Sequence, residues 1–227
     1  MTAFTVSEAI TQRKSVREFQ DKAVPKALIE EILSLAMATS SGSNLQPWKI
    51  HVVTGEVKDR LTQTVNDRIM EAPMGEGGDI PIYPEKLLEP WRKRRGECGE
   101  VVYETLGIAR EDKMGRMMQV LKNFSFFGAP VGLILTMDRS LSKAQIIDIG
   151  LILQNIQLLA VERGLATCAQ ASWTMWPKTI REVLDIDESE MVMVGLALGY
   201  ADDQAPVNHA KQSRADLAEA VTLYGFE

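Results

Sequence analysis

One segment limits the possible folds of this chain more than any other: residues 146–161 are apolar on nearly every side of a helix. Such a helix needs cover all round, either from protein or from lipid. The stretch is interrupted by four polar residues, Asp148, Gln154, Asn155 and Gln157. Because polar side chains are costly in lipid, we expect a long helix over 143–163 that is buried in protein and capped by Gly164.

The remaining pattern indicates a small sheet surrounded by helices. Runs with the length and composition of buried strands lie at 49–54, 131–137, 166–172 and 191–198. Helix signals mark the segments 5–12, 25–39, 56–71, 91–106, 110–122, 213–223 and a short one from Pro177. No repeat and no linker divides the 227 residues, so we predict one α+β domain spanning 1–227.

An irregular stretch follows the third predicted helix. Its glycines and prolines are Pro73, Gly75, Gly77, Gly78, Pro81, Pro84 and Pro90. Long irregular segments inside a compact domain are typical of lids, binding loops or disordered inserts. We therefore expect an insert at about 72–125 that acts as a lid or as a substrate-binding segment.

Charge and composition exclude several classes of protein. With 25 basic and 31 acidic residues the net charge is −6, which argues against broad binding of nucleic acid or of anionic membranes. Cys98 and Cys168 cannot form a disulfide scaffold, and His51 and His209 leave little material for a zinc site. The first ten residues lack the pattern of a signal peptide. We expect a cytoplasmic protein with reduced thiols and no metal, nucleic-acid or membrane partner.

Two clusters of cations suit a phosphate group. Residues 13–17, RKSVR, leave the first helix and supply guanidinium forks, an ammonium group and a hydroxyl. Residues 211–214, KQSR, offer a second clamp near the end of the chain. Each cluster also has an ordinary explanation: the first as a solvated helix end, and the second as a helix start capped by Ser213.

Two further segments combine small and polar residues. The loop SSGSN at 40–44 offers backbone N–H groups, hydroxyls and an amide that can hold a polar heterocycle. An ordinary turn, with Trp48 in the core, is the simpler explanation when this loop is considered alone. The strand-like segment 164–173, GLATCAQASW, lets backbone amides approach a flat ligand. Cys168 within it has no histidine nearby in sequence, so a small buried residue is the simpler interpretation of this thiol.

Together these four segments resemble the FMN-dependent nitroreductase family in identity, order and spacing. RKSVREF and SGSNLQPW, about 25 residues apart, are fairly specific for that family, and GLATCAQASW and Arg214 stand where it has further flavin contacts. The insert with its WRKRRGE motif is similar to that of the nitrobenzoate-reductase-like members. The resemblance implies a nitroreductase-like α+β fold with a small, mainly antiparallel central sheet, in an intertwined homodimer with two FMN sites at its interface.

The resemblance also implies which residues hold FMN. The first cation cluster binds the phosphate and ribityl chain, the SSGSN loop reaches the flavin of the other subunit, and the strand presents backbone N–H groups to the reactive edge of the ring. The implied cofactor-binding residues are Arg13, Lys14, Ser15, Arg17, Ser41, Gly42, Ser43, Asn44, Ala169, Gln170, Ala171, Ser172, Lys211 and Arg214. Some members have Glu at the position of Ala171, where the contact is mainly through the backbone.

The reaction implied by the resemblance is ping-pong hydride transfer. Electrons pass from NADH or NADPH to FMN and then to a small-molecule acceptor, a nitroaromatic or a quinone. Because the chemistry takes place at the flavin N5, no catalytic side chain and no metal ligand is required. A homodimer also fits the helix over 146–161, because a helix that is apolar on nearly every side needs cover all round and a partner can supply part of it. The alternative is that the chain's own helices cover it completely.

Acceptor selection is expected from the insert. There Trp91 is followed by four cations, Arg92 to Arg95, and aromatic residues lie in neighbouring segments. The predicted substrate contacts are Trp91, Arg92, Arg95 and Phe124, with a preference for nitroaromatics that carry a carboxylate. A solvated basic helix face is an equally good explanation of the cations.

Other functions stay open from the sequence. A reductive dehalogenase on the same scaffold would use a Glu, a Tyr and a Lys from the lid. Tyr83, Glu85 and Lys86 occur in the insert, at a spacing that does not match this role well. A flavin-binding protein without turnover is a further alternative, and a flavin-fragmenting synthase has no positive sequence sign. The sequence does not distinguish NADH from NADPH, nor does it identify the natural acceptor.

Overall fold

A computed structural model of the chain describes residues 4–226. The α-helices of this part are α1 Val6–Gln12, α2 Lys26–Ala36, α3 Gly55–Ile69, α4 Trp91–Thr105, α5 Lys113–Leu121, α6 Ile146–Glu162, α7 Pro177–Leu184 and α8 Leu217–Ala220. The strands are β1 Trp48–Thr54, β2 Val131–Asp138, β3 Ala166–Gln170 and β4 Glu190–Gly199. Short 3-10 turns connect several of these elements.

The four strands form one sheet in the order β1-β2-β4-β3, and every pairing is antiparallel. β2 and β4 occupy the centre, and both are buried along almost their whole length. The predicted α+β class, with a small antiparallel sheet wrapped by helices, is confirmed. β3 lies at one edge, so its outer side is available to other groups.

Helices cover both faces of the sheet because successive strand residues point to opposite sides. On one face Leu133 and Leu135 of β2 pack against α2 and α6. On the other face Ile134 packs with α3, α7 and the aromatic residues of 124–127 and 173–176. Gly195 of β4 lies directly under the ring of Trp173, where an added Cβ would approach Cδ1 to 2.1 Å. The sheet is therefore the middle of three layers.

The long apolar helix α6 is only partly covered by the chain itself. Ile152 and Ile156 are fully buried, whereas Ile147 is 70% exposed and Leu151 is 42% exposed. Among the described residues it is the one helix that is long and apolar enough to cross a membrane by length and composition, a test that core helices also pass. The alternative that the chain's own helices cover it completely does not hold for the single chain. Gly164 ends it in the left-handed conformation, with φ +70°, as predicted.

Several element boundaries differ from the predictions, among them the end of α2 at Ala36 instead of residue 39. β3 ends at Gln170, and Ala171–Met175 forms a 3-10 turn closed by a hydrogen bond from Thr174 Oγ1 to the carbonyl of Ala171. α5 begins three residues later than predicted because Asp112 caps it through the N–H of Gly115. The predicted helix over 213–223 shrinks to the four residues of α8, because all four are exposed and none is buried against the rest of the described chain.

The insert begins with a firmly anchored segment. Residues 73–90 contain no helix or strand, as predicted. The carboxylate of Glu76 accepts hydrogen bonds from the N–H and Oγ1 of Thr179, at 2.9 and 2.6 Å. Asp79 pairs with Arg139 and Arg181 and accepts a hydrogen bond from the N–H of Val192. This first part of the insert is therefore fixed to α7 and β4.

Candidate functional site

The two predicted cation clusters meet in one cavity. It has a volume of about 940 Å³ and lies between the end of α1, the start of α4 and the segment that follows residue 206. The predicted cofactor-binding residues in its wall are Arg13, Lys14, Ser15, Arg17, Lys211 and Arg214. The sequence places these two groups almost 200 residues apart, and the fold brings them together.

Among the described residues, the five predicted cofactor-binding cations of this cavity form no ion pair, in contrast to Lys93 and Arg94 in the same wall. Within residues 4–226 no carboxylate forms an ion pair with any of them, that is, with Arg13, Lys14, Arg17, Lys211 or Arg214. The side chains of Lys14, Arg17 and Arg214 donate hydrogen bonds to backbone carbonyls. The two carboxylates in the wall are paired with two other cations of the same wall, Glu97 with Lys93 at 3.7 Å and Glu219 with Arg94 at 2.8 Å. Unpaired cations around an open cavity suit a phosphate, so the donor set fits the phosphate end of FMN.

Local structure directs the first cluster to this cavity. A capping box between Thr5 and Glu8 starts α1, and the helix ends at Gln12, so Arg13 leaves it at once. The following residues run beside β3: Ser15 forms a parallel bridge with Thr167, and the N–H of Val16 donates to the carbonyl of Thr167 at 3.0 Å. The cation cluster is thereby attached to the strand that was predicted to contact the ring.

The outer edge of β3 offers backbone groups next to the cluster. Beyond the bridge at Thr167, no described strand pairs with this edge. Ala169 and Ala171 are exposed, whereas Gln170 is 2% exposed. The buried Gln170 side chain donates from Nε2 to the carbonyl of Asn123 at 2.6 Å, so any ligand contact there would use its backbone. Ser172 follows in the 3-10 turn rather than in the strand.

The loop 41–44 lies away from this cavity. The N–H of Gly42 donates to the carboxylate of Asp148 at 3.2 Å, near the start of α6, and none of the four residues lines the cavity. Ser43 and Asn44 have positive φ, at 50° and 55°, and such strained backbone is concentrated at functional sites. The structure therefore does not bring Ser41, Gly42, Ser43 and Asn44 together with the cations of the same chain. Trp48 packs in the core.

Three of the four predicted substrate residues lie on the outer side of the insert. Arg92 and Arg95 line a second cavity of about 530 Å³, together with Tyr83, Glu85 and Lys86. Arg92 Nε donates to Glu89 at 2.7 Å, and the Arg95 guanidinium lies 4.2 Å from the centre of the Tyr83 ring. Trp91 is next to this cavity in sequence and is 57% exposed.

Phe124 lies elsewhere, in the core. Its ring is 4% exposed and makes edge-to-face contacts with Trp173 at 5.7 Å and Trp176 at 6.0 Å. Sequence proximity to the insert suggested a substrate contact, but the 3-10 segment Lys122–Gly128 turns this side chain inward. We therefore remove Phe124 from the candidate substrate site.

Cys168 is a buried, unreactive thiol. It is 2% exposed, and burial raises its pKa to about 11, although Arg17, Ser15 and Arg13 act in the opposite direction. A thiol with this pKa is protonated at neutral pH, and the thiolate is the reactive form. The interpretation of Cys168 as a small strand residue is confirmed.

Asn208 is the residue of this site that the sequence analysis missed. It is 1% exposed, lies in the cavity wall and accepts a hydrogen bond from the N–H of Arg17 at 2.8 Å. The polar composition of 201–212 resembles that of a solvated tail, so nothing in the sequence marks this asparagine.

Comparison with known proteins identifies the family. Residues 10–200 match the model described as Nitroreductase family. The chain is 40% identical over 222 residues to the chloronitrobenzene nitroreductase of Comamonas testosteroni, covering 96% of each chain. It is 38% identical over 219 residues to the 4-nitrobenzoate reductase of Pseudomonas putida, covering 96% of this chain and 95% of that protein.

A solved structure shows the same fold. The FMN and NADPH-dependent nitroreductase NfnB from Sphigopyxis sp. strain HMH superposes with a TM-score of 0.96 and 42% identity, covering 98% of this chain and all of that chain. The fold and the resemblance inferred from the four motifs are both confirmed. The chain belongs to the nitroreductase family.

Proposed function

We propose that this protein is an FMN-dependent NAD(P)H oxidoreductase that reduces nitroaromatic compounds. The observation that carries the proposal is the cavity in which Arg13, Lys14, Arg17, Lys211 and Arg214 meet without acidic partners. The family adds support, since NfnB is FMN- and NADPH-dependent and two relatives are named for chloronitrobenzene and 4-nitrobenzoate. The predicted enzyme class and cofactors agree with these relatives.

In this proposal the chain supplies binding and orientation. Bound FMN supplies hydride or single-electron transfer, so the protein needs no nucleophile or metal. Arg13, Lys14, Arg17 and Arg214 hold the phosphate, with Ser15 and Lys211 beside them. Backbone N–H groups of 169–172, at the outer edge of β3 and in the turn after it, hold the polar edge of the ring, and nearby cations favour a negatively charged reduced ring.

We further propose a homodimer in which loop 41–44 completes the partner's cofactor site. The loop lies away from the cavity of its own chain. It adjoins an apolar patch, which consists of exposed side chains at the end of α2 and just after it, directly after the loop, and in the first turns of α6: Leu35, Met37, Leu45, Ile146, Ile147 and Leu151. Exposed apolar patches of this kind mark protein–protein contacts. A second copy covering α6 would bury the patch and place the loop at a second cavity.

The cavity of the insert is the proposed acceptor-selecting site. Three of the four cations after Trp91 are engaged by carboxylates: Arg92 by Glu89, Lys93 by Glu97 and Arg94 by Glu219. Arg95 contacts the Tyr83 ring and forms no ion pair within 4–226. It is therefore the cation best placed to bind the carboxylate of a nitrobenzoate. The proposal also includes quinones as acceptors. It further includes a cytoplasmic location, with which the free thiols of Cys98 and Cys168 are consistent.

Anaerobic spectroscopy followed by an acceptor panel tests the function. We expect the purified protein to bind FMN, to lose its yellow colour on addition of NADPH or NADH, and to regain it with nitrobenzene, 4-nitrobenzoate or a quinone. Double-reciprocal plots of rate against NAD(P)H concentration, measured at several fixed acceptor concentrations, should be parallel if the order is ping-pong. Flavin that binds but is not reduced by either nicotinamide would indicate a non-catalytic flavin-binding protein and would contradict the proposal.

A further inference from the structure

We propose that Asn208 is a positioning residue that sets the geometry of the cation cluster for the cofactor phosphate, an inference that rests on the proposed function. The side chain is 1% exposed and belongs to the 3-10 turn Pro206–His209 in the cavity wall. It is uncharged and buried, so it would act on the phosphate through the residues that it holds.

Asn208 holds two members of the first cation segment. Its Oδ1 accepts a hydrogen bond from the backbone N–H of Arg17 at 2.8 Å. Its backbone carbonyl accepts one from Lys14 Nζ, also at 2.8 Å. A residue more than 190 positions away thus holds the Lys14 ammonium group and the backbone from which the Arg17 side chain extends, and all three residues line the same cavity.

The amide nitrogen of Asn208 joins two further segments. Nδ2 donates to the carbonyl of Glu18 at 2.7 Å and to the carbonyl of Asp202, just after β4, at 2.8 Å. The side chain at this position must donate to two carbonyls and accept from one N–H. A side-chain amide provides both the NH₂ donors and the carbonyl acceptor that this requires. The turn that contains Asn208 leads directly to Lys211 and Arg214. Asn208 therefore fixes the separation of the two cation clusters.

A phosphate-specific role can be separated from a general structural role. Riboflavin has the ring and ribityl chain of FMN but no phosphate. Misplacing Lys14 and Arg17 weakens the binding of FMN and leaves riboflavin nearly unaffected, because hydrogen bonds to charged groups are the stronger ones. General loosening of the fold weakens both ligands alike.

The test is to titrate the apoprotein with FMN and with riboflavin and to monitor binding by flavin fluorescence. For Asn208→Ala we expect the Kd of FMN to rise about 10- to 100-fold and that of riboflavin to rise less than about threefold. Asn208→Asp should lose FMN affinity at least as strongly, because its carboxylate faces the carbonyls of Glu18 and Asp202 and adds negative charge near the phosphate.

Thr179→Val is the matched control. Thr179 is also fully buried and hydrogen-bonded, to Glu76, but lies outside the cavity. We expect it to leave the ratio of the two Kd values at the wild-type level. If Asn208→Ala changes both Kd values equally, or neither, the inference is overturned.

Two further outcomes are decisive. Wild-type protein that binds riboflavin as tightly as FMN would contradict the phosphate site itself, whereas a wild-type preference for FMN that survives in Asn208→Ala overturns only the role of Asn208. Asn208→Ser, which keeps one donor, replaces the alanine variant if that variant does not fold. Failure of both to fold would show that Asn208 serves the fold and would overturn the inference.

Discussion

At the scale of single residues, the sequence predicts the groups that act through their own charge. Arg13, Lys14 and Arg214 could be singled out because guanidinium and ammonium groups suit phosphate wherever they occur. Asn208 could not, since its role depends on four hydrogen bonds, three of which join it to residues about 190 positions away. Phe124 was misassigned because an aromatic side chain suits a core and a substrate pocket equally.

Arg95 yields the first prediction at this scale. Arg95→Ala should raise the KM for 4-nitrobenzoate about tenfold and leave the KM for nitrobenzene nearly unchanged, because a charge-assisted hydrogen bond contributes about 1.5 kcal/mol. Steady-state kinetics with both acceptors provides the measurement. Arg92→Ala, at a guanidinium already held by Glu89, serves for comparison and should change the ratio of the KM values less. Equal changes with both acceptors would count against carboxylate recognition by Arg95.

Glu190 yields a prediction about pH. Burial favours its neutral form, but hydrogen bonds from Lys49, Thr136 and His51 outweigh this and lower the pKa of Glu190. A carboxyl whose pKa is lower in the folded than in the unfolded protein stabilises the fold above the unfolded pKa, about 4.3, and this contribution is lost as the pH falls through the folded pKa. Glu190→Gln should therefore make stability less dependent on pH in the acid range.

Urea unfolding between pH 6 and pH 3 measures this dependence. The wild-type unfolding midpoint should fall steeply below about pH 4.3, and that of Glu190→Gln should fall less. Glu188→Gln, the same chemical change at an exposed position two residues away, should follow the wild-type curve. Parallel curves for wild type and Glu190→Gln would contradict the assignment.

At the scale of elements, the polar residues of α6 connect the segments of the site. The carboxylate of Asp148 accepts a hydrogen bond from the N–H of Gly42. Asn155 Nδ2 donates to Thr39 Oγ1 at 2.6 Å, and Gln157 Nε2 donates to Thr167 Oγ1 at 3.3 Å. From the sequence these residues only argued against a membrane span. Helix and strand positions could be predicted from periodicity, but the end of β3 and the short α8 depend on tertiary packing that periodicity does not contain.

The insert gives a prediction at the element scale. Because Glu76 and Asp79 anchor its first part, limited proteolysis of the wild-type protein should cut within 83–90 or 107–112 and spare 73–81. Asp79→Ala leaves Arg181 buried without its carboxylate, at a cost on the order of 3 kcal/mol, and should expose 73–81 to cleavage. Mass spectrometry of the fragments locates the cuts.

The control for this experiment is Glu85→Ala, at an exposed position in the same insert. It should give the wild-type fragments. Cleavage of wild-type protein within 73–81 would contradict this anchoring and would show that the insert is open from about residue 72 onwards.

At the scale of the whole molecule, the exposed part of α6 predicts self-association. Ile147→Asp should leave the fold of the chain intact, since Ile147 is 70% exposed, and should weaken the dimer by about 2 kcal/mol or more. Sedimentation velocity over a series of concentrations measures the shift towards single chains. Met70→Asp, at an 85% exposed residue after α3 on the opposite face of the sheet, should sediment like the wild type.

The separation between loop 41–44 and the cation cavity has a consequence for cofactor retention. In the dimer that we propose, neither subunit encloses a flavin alone, so the loss of one subunit opens two sites. Dilution below the dimer's dissociation constant would release the coenzyme without heat, acid or denaturant. The fluorescence per flavin would then increase as the protein concentration falls. The stability of the dimer would set the lowest protein concentration at which the enzyme stays active.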